Sequence, residues 1–223
     1  GEAPVIYDPF MTQRSASQIE LYLHNKGFYD AQVTDTVFYK KKKALVDYYV
    51  KVGPVTRIQE VKFDDRRGRE NLIAEESGLM ANFRRDTVNT LLEKDASLDL
   101  DVLDDERERI TKMLRERGYF NFSKNFIQFF ADTTSVAKEN MAKVFVRVVE
   151  NAVDSNAYRR YFVRNISVNF DYDPMLTAEQ VDSMYNMLYY NGYNILYRDK
   201  LKIKPKMIIE TIQLQQMELY DAR

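Results

Sequence analysis

Cysteine and tryptophan are absent from this chain of 223 residues, and histidine occurs once. The lack of cysteine excludes disulfide bonds, thiol chemistry and zinc sites built on cysteine ligands. It is compatible with both the cytosol and the periplasm, so it constrains the location of the protein only weakly.

Long apolar runs are also lacking. No stretch approaches the roughly 18–20 consecutive apolar residues that a membrane-spanning helix needs. No signal-peptide pattern opens the chain. We therefore expect these residues to fold in water, as a piece cut from a longer protein.

Few residues are available for catalysis. The single histidine, His24, lies on the polar side of the first predicted helix, where neither a nucleophile triad nor a metal cluster can form around it. Only 7 glycines occur, and none forms a glycine-rich phosphate loop. The acidic run at residues 99–108 lacks the glycine and the regular oxygen spacing of a calcium loop, so it is interpreted as a helix start. The sequence predicts no enzyme activity, no cofactor and no metal site.

Charge is balanced, since 33 basic and 34 acidic residues leave a formal net charge of -1. A chain with this balance has no overall attraction to nucleic acid or to an anionic membrane. The aromatic residues are 16 tyrosines and 13 phenylalanines, which favour strands and half-buried surfaces.

A short motif, Leu-x-x-x-Gly-aromatic, occurs three times, at residues 23–28, 114–119 and 188–193. Each copy predicts the end of an amphipathic helix at a glycine, which lacks the Cβ atom that would clash in the left-handed conformation. The chain is therefore predicted to be an array of similar small modules.

The first module is predicted to be a helix followed by a hairpin. The helix includes residues 15–23, has Ser15 or Ser17 as its N-cap, and stops at Gly27. Two alternating runs follow at residues 31–39 and 45–52, joined by a short polar link.

The second module is predicted to have the order β-α-α-β-β. Its elements are a strand at 56–63, a helix at 69–77 stopped by Gly78, a short helical piece at 86–93, a strong helix at 103–114 stopped by Gly118, and strands at 125–131 and 143–149. Acidic residues at the start of the strong helix and basic residues at its end suit the helix dipole.

The third module follows a polar link at residues 151–157, within which Asp154, Ser155 and Asn156 are the candidate hinge. We expect a strand at 161–170, a helix at 177–188 stopped by Gly192, and a helix at 206–219. No closing hairpin is expected, so this module is predicted to be cut short.

The ordered set of motifs resembles tandem POTRA (polypeptide-transport-associated) domains. Residues 53–58 carry the pattern Gly-x-x-x-Arg-Ile between a hairpin and the next strand, and residues 103–120 resemble the second POTRA helix. Residues 1–8 and 197–205 are similar to segments of the first and third such domains. The resemblance is closest to the BamA/TamA-like outer-membrane proteins of Bacteroidota, in the bacterial surface antigen family, whose periplasmic part precedes a membrane β-barrel.

This resemblance implies an α+β fold of tandem POTRA-like β-α-α-β-β modules, each a small mixed sheet with helices on one face. Residues 1–55 would be the C-terminal part of a first module, 56–150 a complete module, and 158–223 the N-terminal part of a third. The implied function is that of the periplasmic part of an outer-membrane assembly or translocation protein. Its partners would be unfolded β-barrel precursors, accessory assembly subunits, and its own C-terminal barrel domain in the full-length protein.

The resemblance also implies that the first strand of each hairpin lies at a sheet edge, where an extended peptide can add by β-augmentation. The candidate edge residues are Val33, Thr34, Asp35, Thr36, Val37 and Phe38 in one hairpin, and Phe126, Ile127, Gln128, Phe129 and Phe130 in the next. Asp35 marks an edge but also discourages pairing there. Alternatively, Phe126, Phe129 and Phe130 pack only in the core and between modules.

Two other functional classes stay open. A scaffold or adhesion module would bind one folded partner without handling unfolded chains. A nucleic-acid binder would use the lysines at positions 40–43 with Arg66, Arg67 and Arg69, and would bind in a strongly salt-dependent way. The same lysines can instead be a solvated turn, or contact lipid head groups. We expect neither nucleic acid nor a small-molecule substrate as a partner.

Overall fold

The computed structural model describes residues 6–63, 78–136, 138–148, 155–170 and 172–221. The chain divides into two units, of which the first is Gly1–Thr111 with Ser123–Val153 and the second is Lys112–Phe122 with Asp154–Arg223. Both units combine helices with a small mixed sheet, which confirms the predicted α+β class. The predicted division into three modules stays a prediction.

The elements up to residue 148 follow in chain order. They are α1 (Pro9–Asn25), β1 (Gln32–Lys40), β2 (Lys43–Lys51), β3 (Arg57–Phe63), α2 (Leu79–Arg85), α3 (Leu100–Glu116), β4 (Ile127–Asp132) and β5 (Met141–Val148). The later elements are β6 (Ile166–Asn169), α4 (Ala178–Met184), β7 (Asn186–Tyr190), β8 (Tyr193–Tyr197) and α5 (Pro205–Ile209).

Helix α1 begins earlier than the sequence predicts. Its first residue is Pro9, and its N-cap is Asp8, whose side chain accepts a hydrogen bond from the backbone N–H of Phe10 in the first turn. The predicted caps Ser15 and Ser17 lie inside the helix, so that prediction is wrong. Proline suits the first helical position, because the N–H that it lacks has no partner within the helix there.

The first hairpin is confirmed. Strands β1 and β2 pair antiparallel from Gln32 opposite Lys51 to Lys40 opposite Lys43. Helix α1 lies against one face of the hairpin, where the Tyr48 hydroxyl donates to a carbonyl of α1 at 3.4 Å. In the described part of the chain this sheet has two strands.

The second sheet has the strand order β3-β5-β4, with β3 parallel and β4 antiparallel to β5. Val144, Val146 and Val148 alternate along β5 on its buried face. Leu103 and Ile110, which lie two turns apart on α3, are buried in the same unit. The predicted amphipathic face of α3 is thus confirmed.

The third sheet repeats this topology in the second unit, with the order β6-β8-β7, β6 parallel and β7 antiparallel to β8. The predicted helix at 177–188 is wrong beyond Met184, and the expected absence of a hairpin is wrong too. Gly192 forms the β7–β8 turn with Asn191; their φ angles are 88° and 47°. Asn-Gly favours a tight hairpin turn, because both positions require positive φ.

The last predicted helix, at residues 206–219, is also largely wrong. Helix α5 ends at Ile209, and the segment near residue 219 is extended instead. The Tyr220 N–H donates to the Tyr161 carbonyl at 2.9 Å, and the Met217 N–H donates to the Val163 carbonyl at 2.7 Å. This pairing also occupies the start of the predicted strand at 161–170, so that β6 is only four residues long.

Two predictions concern the segment before α3. The helix predicted at residues 69–77 lies outside the described residues. Gly78, with φ 73°, precedes α2, and the short helical piece predicted at 86–93 is a single 3-10 turn, Asp86–Asn89.

Candidate functional site

Three strands, β1, β4 and β7, lie at the edge of their sheets. In an antiparallel pair, successive residues direct their backbone N–H and C=O groups alternately to the partner strand and to the open side. The residues that flank a two-residue hairpin turn bond to each other. The turn positions therefore show which groups of β1 and β7 face outward.

On β1, the outward backbone groups belong to Val33, Asp35, Val37 and Tyr39, because Lys40 bonds across the turn to its partner strand. This edge is partly occupied by the chain itself. The Val33 N–H donates to a carboxylate oxygen of Glu20 on α1 at 3.1 Å.

On β4, the outward groups belong to Ile127, Phe129 and Ala131. The Ile127 N–H donates to the Lys124 carbonyl, and its own carbonyl accepts a hydrogen bond from Arg107 Nε at 3.1 Å. The Arg107 guanidinium also lies over the Phe129 ring, 4.9 Å from the ring centre. Helix α3 thus covers the first half of this edge.

On β7, the outward groups belong to Met187 and Tyr189, since Tyr190 and Tyr193 flank the two-residue turn. Their side chains are 67% and 64% exposed. Within the described ranges, no helix side chain bonds to these outward backbone groups, unlike those of β1 and β4. Of the three edges, this is the one whose outward backbone groups are not bonded by a helix side chain in the described ranges, and it carries exposed, largely apolar side chains.

The sequence does not predict β7, because the motif at residues 188–193 indicates a helix end. The signal that identifies the strand is Asn191-Gly192 between tyrosine-rich runs, which is typical of a hairpin.

The predicted edge residues divide into two groups. Val33, Asp35, Val37, Ile127 and Phe129 have outward backbone groups. The backbone groups of Thr34, Thr36, Phe38, Gln128 and Phe130 face the partner strand instead. Phe126 lies in the 3-10 turn Lys124–Phe126 before β4, so its placement in a strand is wrong.

The candidate hinge lies at the division between the two units, which falls between Val153 and Asp154. Asp154 is outside the described residues. Ser155 and Asn156 begin a 3-10 turn whose last two residues are buried, so the polar link ends before residue 157.

His24 and the acidic run contact neighbouring groups of the same unit. His24 Nε2 lies 3.2 Å from the Ala31 carbonyl oxygen. Asp99 accepts a hydrogen bond from Lys26 Nζ at 2.8 Å, and Asp104 accepts one from Lys124 at 3.0 Å. The hydrogen bond from Lys124 holds the pKa of the Asp104 carboxyl below its usual range. These acidic side chains thus neutralise neighbouring lysines.

Across the described ranges, no three acidic or histidine side chains are placed to hold a metal ion together. Within the same ranges, no helix is both long enough and apolar enough to cross a membrane. Arg66, Arg67 and Arg69 lie outside the described residues, so the predicted basic patch is described only at the lysines at positions 40–43.

No family model and no curated protein matches the chain. Among solved structures, it is similar to BamA from Haemophilus ducreyi lacking POTRA domains 1-3, with a TM-score of 0.42 and 12% identity over 67% of this chain and 25% of that one. It is also similar to Haemophilus influenzae BamA POTRA3-5, with a TM-score of 0.38 and 16% identity over 89% of this chain and 65% of that one. The chain thus spans about a quarter of the first of these structures and just under two thirds of the second.

Proposed function

We propose that this chain is the periplasmic part of an outer-membrane protein assembly or translocation factor. In this proposal its open strand edges bind extended segments of unfolded β-barrel precursors or of accessory subunits. The observation that carries the proposal is the outer edge of β7, where Met187 and Tyr189 present outward backbone groups beside exposed apolar side chains. The sequence resemblance to POTRA domains supplies the periplasmic setting.

Binding at such an edge depends mainly on backbone hydrogen bonds, so it accepts many sequences. The exposed methionine and tyrosine add contacts that adapt to different side chains, since methionine is flexible and tyrosine has both an apolar ring and a polar tip. Pairing and release change no covalent bond, so the proposed mechanism needs no cofactor.

The edges of β1 and β4 are secondary candidates. A peptide at β1 would have to displace Glu20 from the Val33 N–H, and a peptide at β4 would have to displace Arg107 from the Ile127 carbonyl. We propose in addition that Asp154, Ser155 and Asn156 act as a hinge that lets bound segments be passed along the protein.

Proline at Tyr189 tests the edge directly. The Tyr189→Pro variant removes one outward N–H while leaving the bonds between β7 and β8 in place, a position where edge strands tolerate proline. The matched control, Tyr189→Ala, removes the same side chain but keeps the N–H. We expect photocrosslinking to extended peptides from β-barrel strands to be lost with proline and retained with alanine, while circular dichroism shows both variants folded.

Other outcomes would favour the other classes. Equal crosslinking of both variants would argue against backbone pairing at β7. A single saturable folded partner, with no affinity for assorted unfolded peptides, would instead identify a scaffold module. Binding to nucleic acid that falls steeply as the salt concentration rises would instead identify a nucleic-acid-binding protein.

A further inference from the structure

The β1–β2 turn carries an unusual concentration of charge. Lysines occupy positions 40–43, and all four are exposed. Lys41 and Lys42 form the turn itself, with φ angles of 47° and 60°. Tight turns of this kind favour asparagine and glycine, because other residues are strained at positive φ. The turn thus carries lysines where the backbone favours other residues, and such strain is a reason to look for function.

Large apolar side chains surround the lysines. Phe38 and Leu45 are cross-strand neighbours on one face of the hairpin, 51% and 61% exposed, and Tyr39 is 71% exposed on the opposite face. A concavity of about 440 Å³ at this tip is lined by Phe38, Lys40, Lys41, Lys43, Ala44 and Leu45.

The start of α1 lies at the same end of the first unit. The ring of Tyr7 meets the ring of Tyr39 edge-on, with 5.8 Å between ring centres. Nearby in the chain, Phe10 is 82% exposed and Ile6 is 90% exposed. The one acidic residue among residues 6–11, Asp8, is the N-cap of α1. The contact of Tyr7 with Tyr39 thus places the start of α1 beside the hairpin tip. We call residues 6–10 and 38–45 together the lysine tip.

We propose that the lysine tip docks on an anionic lipid bilayer surface, with its lysines at the phosphate groups and its apolar side chains at the boundary between head groups and acyl chains. Within the described part of the chain, none of the four lysines forms an ion pair, so their charges are available to an external anion. Aromatic side chains and the flexible stems of lysine suit the membrane interface.

The distribution of the apolar groups favours a bilayer over an acidic protein. Phe38 and Tyr39 point to opposite faces of the hairpin, so one flat protein surface cannot cover both. A bilayer surface contacts both faces when the tip enters end-on. Charge and apolar burial together are the two signals that stable membrane attachment needs. This inference goes beyond strand addition and does not depend on it.

Vesicle co-sedimentation of the whole chain tests the proposal, with vesicles of phosphatidylcholine alone and of equal parts phosphatidylcholine and phosphatidylglycerol. The tip variant is Lys40→Ser, Lys41→Asn, Lys42→Gly and Lys43→Thr, in which Asn-Gly preserves the tight turn. The control variant, in which Lys200, Lys202, Lys204 and Lys206 are all replaced by serine, removes the same total charge elsewhere. A third variant, Phe38→Thr with Leu45→Thr, removes apolar surface without changing charge.

We expect the whole chain to bind the anionic vesicles and not the neutral ones. The tip variant should bind at least about tenfold more weakly, because each lysine at an anionic surface contributes to binding. The control variant should bind within about twofold of the parent chain, since the vesicles attract the tip alone, and the third variant should also weaken binding. Equal losses in the tip and control variants would overturn the proposal, because net charge alone would then explain binding. Binding to polyglutamate, an acidic polypeptide, is measured in parallel. If the tip variant binds vesicles as the parent chain does but no longer binds polyglutamate, the proposal is overturned in favour of an acidic protein partner.

Discussion

The backbone carbonyl of Gly118 accepts a hydrogen bond from the N–H of Tyr161 at 2.8 Å, as the carbonyl of Gly27 does from the N–H of Thr56 at the same distance. In both cases the donor residue also accepts a hydrogen bond through its own carbonyl. The Thr56 carbonyl accepts the Leu98 N–H, and the Tyr161 carbonyl accepts the Tyr220 N–H. The same three-segment junction therefore forms twice, once in each unit. The Gly-aromatic motif is the point where the end of a helix meets an extended segment far along the chain.

Alanine at Gly27 should weaken the first of these junctions. Gly27 has φ 92°, and an added Cβ would lie 3.1 Å from the Leu98 carbonyl oxygen and 3.2 Å from that of Thr56. Both neighbours are backbone atoms, and the Thr56 carbonyl accepts the Leu98 N–H across the junction, so it cannot move away without weakening that bond. We expect Gly27→Ala to lower the free energy of unfolding by about 2 kcal/mol or more, measured by urea denaturation.

Gly192→Ala is the matched control, because it is equally left-handed but open. Its φ is 88°, and the nearest atom to an added Cβ is the side-chain oxygen of Gln216 at 3.4 Å. There, only the added backbone strain should lower the free energy of unfolding, by about 1–2 kcal/mol. An equal loss in the two variants would mean that the close approach at Gly27 contributes nothing to stability.

The same motif shows how far the sequence determines the fold. At Gly27 and Gly118 it follows amphipathic helices, and the prediction is confirmed. At Gly192 the preceding residues, Asn186–Tyr190, form a strand. Three spaced residues do not distinguish a helix end from a hairpin turn, since glycine at positive φ serves both. The period of the residues before the glycine carries that information, and five residues are too few to show it.

Substitution of Glu106 should destabilise the fold more than substitution of most other polar residues. Its side chain is fully buried and accepts hydrogen bonds from the Thr90 hydroxyl at 2.8 Å, the Leu91 N–H at 3.0 Å and Arg109 Nε at 2.8 Å. Arg109 also pairs with the buried Asp86. Glu106→Ala removes a partner from the half-buried Arg109 guanidinium and takes away the acceptor of the Thr90 hydroxyl and the Leu91 N–H. We therefore expect a loss of about 3–5 kcal/mol in the free energy of unfolding.

Glu108→Ala is the control for this prediction. Glu108 lies on the same helix and pairs with Lys124 at 2.9 Å, but its side chain is 63% exposed. Exposed ion pairs contribute about 0–1 kcal/mol, because water already solvates both charges. If chemical denaturation gives similar losses for the two variants, burial is not what makes Glu106 important.

The burial of Glu106 could not be predicted from the sequence. Residues 99–108 are rich in acidic side chains, which is typical of a solvated helix start. Asp99 does act there as a cap, since its side chain accepts the Asp101 N–H at 2.9 Å. Two of the partners of Glu106, Thr90 and Leu91, come from a segment that the sequence predicts only as a short helical piece. Which acid of a run is buried depends on tertiary packing that local pattern does not encode.

Acid should destabilise the first unit through Asp99. Burial alone would raise the pKa of its carboxyl, but hydrogen bonds from Lys26 and from the N–H groups of Asp101 and Val102 outweigh burial and hold the pKa below its usual range. A carboxyl with a lowered pKa in the folded state contributes stability above its unfolded pKa, and that contribution is lost as pH falls through the folded pKa. We expect the melting temperature to drop as pH is lowered from about 5 towards 2.

Lys26→Met should flatten this dependence, because the variant lacks the hydrogen bond that lowers the pKa of Asp99. The control, Lys43→Met, removes one exposed lysine of the hairpin turn and should leave the slope unchanged. Thermal unfolding followed by circular dichroism over a pH series compares the three proteins. Parallel curves for Lys26→Met and the parent chain would show that the Lys26–Asp99 pair does not couple folding to protonation.

Asp35 should protect the open edge of β1 from pairing with other chains. Its backbone groups face outward in mid-strand, and its side chain is exposed. A charge at this position disfavours a second strand, because pairing would bring that strand over the carboxylate. We expect Asp35→Thr to self-associate in sedimentation velocity experiments at concentrations where the parent chain is monomeric.

The control is Asp47→Thr on β2, which removes the same charge from a residue whose backbone bonds to β1 opposite Thr36. Association of both variants alike would mean that net charge, and not the edge position, keeps the chains apart. Association of Asp35→Thr alone would show that β1 is a competent edge once the carboxylate is removed, despite the contact of Glu20 with its first residues.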